Sequence, residues 1–168
     1  QPLSGLDSAF LYLETFETPM HVGTLHLCEL PHGRRGDFFL RARRHIERRL
    51  DLVPVFRRRL ATLPFDVASP MWLEDQPVDL DYHLRHSALP YPGGERELGV
   101  LVSRLHSNPM DLDRPLWEIH LIEGLQGGRF ALYCKLHHSL ADGVSGVGLL
   151  NFSTDPHATV AEILEAFA

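Results

Sequence analysis

The sequence predicts a single α+β domain, a layered α/β arrangement in which helices pack against a mixed β-sheet. Three observations lead to this prediction. The chain has 168 residues, a length typical of one globular domain, and 44% of its residues are hydrophobic. Segments with strand character are interspersed with segments of helical periodicity. Two consecutive strand segments near the end are joined by a short glycine-rich connection, which is typical of a hairpin.

The first half of the chain is expected to contain a strand, a helix and an irregular segment. Residues 20–30 suit a strand and end at Pro31. Residues 37–53 are expected to form a helix, which Asp37 can cap and Pro54 ends. The apolar residues of this helix fall on one stripe: Phe39, Ala42, Ile46, Leu50 and Val53. Residues 54–94 are rich in proline, with short strands expected at 71–73 and 82–85.

The second half is expected to hold a helix, a hairpin and two further helices. Residues 95–107 form the first of these helices, because apolar residues recur there at helical spacing and Asn108-Pro109 follows. Strands are expected at 116–123 and 129–137, with Gln126-Gly127-Gly128 as the tight connection. A glycine-containing helix over 143–151 comes next. A last helical segment has its apolar positions at Val160, Ile163, Leu164 and Phe167.

Composition excludes several classes of protein. The net charge of −6 argues against a general nucleic-acid binder. No apolar stretch approaches the ~20 residues that span a bilayer, and no segment has the pattern of a signal peptide. Cys28 and Cys134 lie in apolar segments, which is typical of buried reduced thiols in a cytoplasmic protein.

The arginines are unevenly distributed. Ten of the fifteen fall within residues 34–59, and Lys135 is the only lysine. This cluster is open to two interpretations. It can be the solvated face of a helix, or a basic surface that meets anionic lipid or a phosphate-bearing substrate.

The candidate chemistry lies in residues 137–143, which read His-His-Ser-Leu-Ala-Asp-Gly at the expected end of a strand. If the strand persists to His138, this residue continues the apolar face of Phe130, Leu132, Cys134 and Leu136, and His137 takes the other face. Apolar surroundings disfavour the charged imidazole, and a neutral ring can accept a proton from an alcohol or thiol. Asp142 can cap the next helix or pair with an arginine, and Gly143 permits a sharp turn.

Other interpretations of these residues remain open. His138 can be a core histidine with a satisfied partner, and Asp142 merely a helix cap. A metal site is disfavoured, because adjacent strand histidines point to opposite faces and no other spacing matches a common metal motif. The segment around Ser145 departs from the G-x-S-x-G nucleophile pattern at its last position. There is no phosphate-binding loop and no dinucleotide fingerprint.

Residues 137–143 match the HHxxxDG motif of the CoA-dependent acyltransferases, a superfamily that includes chloramphenicol acetyltransferase, carnitine acyltransferases and the condensation domains of peptide synthetases. Four further stretches resemble the wax ester synthase/diacylglycerol acyltransferase family in particular, and they occur in the order found in that family. They are residues 2–7 with Phe10, residues 19–23, Pro115-Leu116-Trp117, and residues 153–156. The resemblance covers nearly the whole chain.

The resemblance implies a chloramphenicol acetyltransferase-like fold and a role for each motif residue. His138 matches the general base that deprotonates the acceptor hydroxyl, and His137 matches a supporting histidine. Asp142 matches an aspartate that holds local structure through an ion pair, and Gly143 matches the glycine at the turn. The matching tripeptide, Pro115-Leu116-Trp117, is expected to shape the active site. Trp117 can equally be a core aromatic.

The resemblance also implies a domain organisation. Members of the family have two such domains with the active-site tunnel between them. Residues 1–168 are expected to be the N-terminal one, with the C-terminal half of the family absent and needed for activity.

The function implied by the resemblance is transfer of a long-chain acyl group from acyl-CoA to a fatty alcohol or diacylglycerol, giving wax esters or triacylglycerol. Acyl-CoA is a substrate, and neither a metal nor a redox cofactor is expected. The expected partners are the two substrates, the C-terminal domain of the same enzyme and a membrane or lipid-droplet surface, without nucleic acid. The expected location is cytoplasmic, peripheral at the inner membrane or lipid inclusions.

Two alternative functions stay open at the level of sequence. One is a condensation-domain-like enzyme, or another HHxxxDG acyltransferase that acts on carrier-protein thioesters. The other is a non-catalytic half-domain that binds acyl chains or membranes.

Overall fold

The structure is a computed structural model that describes residues 2–3, 5–29, 38–50, 54–61, 70–74 and 76–141. These ranges contain five helices, α1 (Gly5–Leu13), α2 (Phe38–Arg49), α3 (Leu80–His83), α4 (Glu95–Ser107) and α5 (His138–Ala141). They also contain six strands, β1 (His21–Glu29), β2 (Arg59–Ala61), β3 (Met71–Leu73), β4 (Leu84–Ala88), β5 (Trp117–Glu123) and β6 (Arg129–His137). Short 3-10 turns cover Pro54–Arg57 and Gln126–Gly128. The predicted fold class, helices packed on a mixed sheet, is confirmed.

The main sheet has the strand order β1-β6-β5-β4. Strand β6 pairs antiparallel with both β1 and β5, whereas β4 and β5 are parallel. The register places His21 opposite His137 and Trp117 opposite Leu136. Strands β2 and β3 form a separate antiparallel pair. The pairing of β6 on both sides puts the motif at the end of a central strand.

Strand β6 is buried on both faces, because helices cover the sheet from two sides. Phe38 and Ala42 of α2 pack with Phe130 and Leu121 on one face. On the other face, Leu98 of α4 packs in a cluster with the sheet residues Ile122, Ala131 and Tyr133. Every residue of β6 after Arg129 is therefore buried, including Lys135 and His137.

Most of the predicted elements are confirmed. The helix at 95–107, the strand at 129–137 and the hairpin between β5 and β6 occur as predicted. Strand β1 lies within the predicted 20–30, and α2 lies within the predicted 37–53. Helix α1 and strand β2 were not predicted. Asp37, Val53 and the helices expected over 143–151 and at Val160, Ile163, Leu164 and Phe167 fall outside the described residues.

The strand predicted at 82–85 is wrong in its first half. Tyr82 and His83 lie in the helical turn α3, and β4 begins at Leu84. The cause is Asp79, whose carboxylate oxygen accepts the backbone N–H groups of Asp81 and Tyr82 at 3.0 and 3.4 Å and caps the turn. The alternation of apolar and polar residues, from which the strand was predicted, does not reveal this side-chain contact.

The two cysteines are free, Cys134 buried and Cys28 partly buried. Burial raises the pKa of the Cys134 thiol to about 12, so the group stays protonated at neutral pH.

Candidate active site

Strand β6 delivers the two motif histidines to the end of the sheet. His137 is its last residue and His138 is the first residue of α5. The backbone N–H of His137 donates to the Leu116 carbonyl oxygen at 3.1 Å, and that of His138 donates to the Met20 carbonyl oxygen at 2.9 Å. The residues that directly precede β1 and β5 thus fix the backbone at the motif from both sides. The predicted position at a strand end is confirmed.

The imidazole of His137 is fully buried and has partners on both ring nitrogens. The backbone N–H of Ser139 donates to Nδ1 at 3.1 Å, and the Ser139 Oγ lies 2.7 Å from the same atom. Because Nδ1 accepts, the proton of the neutral ring is on Nε2, which lies 3.2 Å from the Glu14 Oε2. Burial lowers the pKa of His137, against an opposing effect of Glu14. The ring is therefore held neutral in one tautomer.

Glu14 joins the first helix to the motif. Its Oε1 accepts the backbone N–H of Met20 at 3.1 Å, while its Oε2 accepts from His137. Because the Met20 carbonyl binds the N–H of His138, the chain between α1 and β1 contacts both histidines. Sequence reasoning missed Glu14. The available signal was an acidic residue directly after the apolar stretch of α1.

The ring of His138 has a different environment. It is partly exposed and stacks on Phe10 of α1, with ring centroids 4.8 Å apart and planes 16° from parallel. No described residue forms a hydrogen bond with its ring nitrogens. The strand ends at His137, so the expectation that His138 continues the apolar face of β6 is wrong, and its ring is oriented by α5 and Phe10 instead. Among the described residues, the contact that orients this imidazole is the stacking on Phe10.

A polar layer lies beneath α4 on the same face of the sheet as His137. The buried ammonium of Lys135 donates to the Leu105 carbonyl at 3.0 Å and to the Asn108 carbonyl. The Nε2 of His21 lies 2.6 Å from the His106 carbonyl oxygen. Burial lowers the pKa of Lys135 and of His21. These contacts tie the C-terminal end of α4 to the sheet next to the motif.

The tripeptide Pro115-Leu116-Trp117 is buried beside the motif. The Leu116 carbonyl accepts from His137, and the Trp117 Nε1 donates to the Phe56 carbonyl at 2.8 Å. Trp117 is also 1% exposed and packs in the main core. Its two interpretations, a core aromatic and a residue that shapes the site, are compatible.

Two motif residues, Asp142 and Gly143, lie outside the described residues, so their expected roles stay predictions. Between residues 2 and 141, the described part shows no group of three or more His, Cys, Asp or Glu arranged to hold a metal ion. None of the helices that the structure describes is long and apolar enough to cross a membrane.

The arginine cluster is partly neutralised where the structure describes it. Arg43 pairs with Asp81, and Arg58 lies 3.3 Å from Glu74. Arg44 and Arg48, on α2, are exposed. Among the arginines of the cluster whose side chains the structure describes, these two are the ones open to an external anion.

Known proteins have sequences and folds similar to those of this chain. A sequence model described as the wax ester synthase/diacylglycerol acyltransferase catalytic domain matches residues 3–164. A Mycobacterium tuberculosis protein named as a diacylglycerol O-acyltransferase is 49% identical over 157 residues, which are 91% of this chain and 31% of that protein. A Mycobacterium bovis protein of the same name is 46% identical over 89% of this chain and 34% of its own length. The chain therefore spans about a third of the length of these relatives.

Solved structures agree with the sequence comparison. The wax ester synthase/diacylglycerol acyltransferase from Marinobacter aquaeolei superposes with a TM-score of 0.77 at 43% identity, over 89% of this chain and 37% of that one. The first condensation domain of the CDA synthetase superposes with a TM-score of 0.62 at 17% identity, over 94% and 40% of the two chains. The similarity to the condensation domain is therefore a similarity of fold alone.

Proposed function

Since the chain belongs to the wax ester synthase/diacylglycerol acyltransferase family, we propose that it carries the motif half of an O-acyltransferase. The reaction moves a long-chain acyl group from acyl-CoA to the hydroxyl of a fatty alcohol or of diacylglycerol, giving a wax ester or a triacylglycerol. The observation that supports this most directly is the contrast between the two histidines. His137 is buried with both ring nitrogens engaged, whereas His138 is partly exposed and its ring nitrogens form no hydrogen bond with the described residues.

In the proposed reaction His138 is the general base. Its neutral imidazole takes the proton of the acceptor hydroxyl as that oxygen attacks the thioester carbonyl of acyl-CoA. The tetrahedral intermediate then collapses, the C–S bond breaks, and the imidazolium returns the proton to the CoA thiolate. The products are the ester and free CoA, and the base is regenerated.

The neighbouring residues hold that base in place. Phe10 fixes the plane of the His138 ring by stacking, and the bond from the His138 N–H to Met20 fixes its backbone. His137 acts through its hydrogen bonds to Glu14 and Ser139. In this proposal Asp142 holds the local structure of the motif through an ion pair and Gly143 lets the chain turn, as the resemblance implies. A positioned ring loses little freedom when the substrate arrives, which favours the proton transfer.

The rest of the full-length enzyme is part of the proposal. The relatives are about three times as long as this chain, and we place the substrate tunnel between this domain and a C-terminal partner domain. Activity is therefore expected of the full-length enzyme.

We also propose that the exposed arginines of α2 contact an anionic membrane surface. Because long-chain acceptors are dissolved in lipid, an enzyme that binds at the lipid surface has direct access to them. Replacement of Arg44 and Arg48 by serine should weaken binding of the full-length enzyme to anionic vesicles, and wild-type binding should weaken as salt rises. The matched control replaces Arg96 and Arg104, which are exposed on α4. Equal loss in both double variants, or salt-independent binding, would count against this contact.

The proposed function is tested with acyl-CoA and an acceptor. The full-length enzyme is incubated with palmitoyl-CoA and either hexadecanol or dioleoylglycerol, with CoA release and ester formation followed together. We expect CoA release that depends on the acceptor and equals the ester formed. Release without an ester, or none with either acceptor, would contradict the proposal.

A further inference from the structure

We propose that His83 is a positioning residue for the acyl transfer, which holds the Leu116–Trp117 segment in place and through it the motif. This inference rests on the proposed function and adds a residue that the motif does not contain. His83 lies 34 positions before Trp117 in the chain, and its side chain meets the Trp117 backbone.

The contact is specific in geometry. The His83 side chain is 1% exposed, and its Nδ1 lies 2.7 Å from the Trp117 carbonyl oxygen. A carbonyl oxygen only accepts, so the Nδ1 carries the proton. The ring also stacks on the Trp117 indole, with centroids 4.5 Å apart and planes 23° from parallel. Burial lowers the pKa of His83, which is consistent with a neutral ring of fixed tautomer.

The position of His83 explains why a side chain is needed there. Strand β4 begins at Leu84, which is paired with Ile119 of β5. Trp117 lies two residues before Ile119, where the β4 ladder has not yet begun. The His83 ring supplies a donor to β5 at this point, as a backbone N–H of β4 would further along.

The other side of the same segment touches the motif. The Leu116 carbonyl accepts the backbone N–H of His137 at 3.1 Å, and Trp117 is paired with Leu136. A shift of the Trp117 carbonyl therefore moves the acceptor of the His137 N–H, and with it the start of α5. The Leu116–Trp117 segment therefore lies between His83 and the motif strand β6 and contacts both.

The test also separates the positioning role from direct action of His83 on a ligand. His83 also lines a cavity of about 430 Å³ whose remaining lining includes Arg59, Asp79, Asp111, Arg114 and Pro115. A residue that acts on a ligand in this cavity would use Nε2, because Nδ1 is occupied by Trp117. The positioning role depends on Nδ1 alone.

The test compares His83→Asn with His83→Gln in the full-length enzyme. The asparagine amide nitrogen occupies nearly the place of Nδ1, whereas that of glutamine lies one bond further out, nearer the place of Nε2. We expect His83→Asn to keep kcat within about threefold of the wild type, and His83→Gln to lower kcat by about 10- to 100-fold, the size of effect that a misplaced catalytic group produces. The KM values for acyl-CoA and acceptor should stay within about twofold in both, since substrate binding is not the property changed.

His86 provides the matched control. It lies on the next element, stacks on Phe39 at 4.5 Å and has its Nε2 2.8 Å from Glu123, at the far end of β5 from the motif. His86→Asn and His86→Gln should both leave kcat unchanged. Thermal melting of every variant identifies loss of folding.

Each result decides the matter. A kcat near the wild-type value in His83→Asn, together with a lower kcat in His83→Gln, supports the positioning role. The positioning role would be overturned by a wild-type kcat in His83→Gln, whether or not His83→Asn loses activity. It would also be overturned if the two variants lost kcat, or folding, to the same extent. A wild-type enzyme without turnover would overturn the proposed function and this inference with it, whereas wild-type turnover with an unaffected glutamine variant overturns the inference alone.

Discussion

The two adjacent motif histidines are expected to respond differently to the same substitution. His138→Ala removes the proposed general base while the buried network around His137 stays intact, so kcat should fall by about 10²–10⁴-fold with little change in melting temperature. His137→Ala leaves the Glu14 Oε2 without its hydrogen-bond donor, which should destabilise the protein by about 1–3 kcal/mol. Turnover and thermal melting of each variant, with binding of a non-reactive acyl-CoA analogue, measure both effects. Near-normal turnover in His138→Ala would reject the general-base role.

Glu14 is expected to matter because it accepts two hydrogen bonds at once. In Glu14→Gln one acceptor oxygen becomes an amide group, which faces either the Met20 N–H or the His137 Nε2–H as a second donor. We expect a loss of about 1–3 kcal/mol in the free energy of unfolding, together with lower kcat. Urea unfolding gives the first quantity, and Glu17→Gln, at an exposed neighbouring position, is the control. Equal stability of the two variants would argue against the network.

The site was predictable only where its residues are contiguous in the chain. The two histidines stand side by side in a recognisable stretch of seven residues. Glu14 reaches His137 across 123 positions, and a contact of that kind appears only once β1 and β6 are paired. Phe10 could be noticed within the family resemblance, but its stacking on His138 could not.

Strand β1 is tightly fitted to β6 at Gly23. A Cβ at this position would lie 2.6 Å from the Tyr133 hydroxyl and 2.8 Å from its ring, so Gly23→Ala must displace Tyr133. The displacement would break the contact of 2.7 Å between the Tyr133 hydroxyl and the His106 Nδ1. We expect a loss of about 1–3 kcal/mol in stability, typical of overpacking.

The control for this substitution is a glycine with free space around it. A Cβ added to Gly99, in the middle of α4, would have nothing within 4 Å of it, and Gly99→Ala should stabilise the helix by up to about 1 kcal/mol. Thermal melting of the two variants should therefore shift in opposite directions. A downward shift of equal size in both would mean that the close approach to Tyr133 is not the cause.

Elements were predictable where local signals agree with tertiary packing. Helix α4 was predicted with its observed bounds because its apolar spacing is regular and Asn108-Pro109 follows it. The turn α3 was missed because the capping bonds of Asp79 outweigh the strand pattern around Tyr82. The alternation along β6 is genuine, yet it separates two buried faces rather than a core face from a solvent face.

The molecule as a whole should lose stability in mild acid. Burial lowers the pKa of four histidines in the described part of the chain below the usual 6.5: His21, His26, His83 and His137. As pH falls below about 6.5, the unfolded chain binds these protons and the folded chain does not, so the stability present at neutral pH is lost. The melting temperature should be steady above pH 7 and fall below it.

His26→Gln provides an internal check on this pH dependence. The His26 ring forms no hydrogen bond with the described residues, and burial is what lowers its pKa. Its removal should reduce the acid slope of the free energy of unfolding by at most about 1.4 kcal/mol per pH unit, the effect of one proton. Taking the difference from the wild type cancels the titration of any other domain. An unchanged slope would exclude His26 from the set.

The fold class followed from the sequence, but the strand order did not. The mixed sheet depends on the pairing of β1 with β6, in which Glu29 meets Arg129 a hundred positions later. No local pattern encodes which distant strand a given strand will choose, because either edge of the β5–β6 hairpin offers the same backbone groups.

This long-range pairing has a consequence for biosynthesis. At about 5–20 residues per second, a ribosome needs about 5–20 s to travel from Glu29 to Arg129. During that time β1 has no partner, and its exposed Leu25 and Leu27 flank an open backbone edge that can pair with other nascent chains. Strand β6 covers one edge of β1 and brings the motif histidines into place, so the candidate active-site end of the sheet is assembled in the same late step that gives β1 its partner.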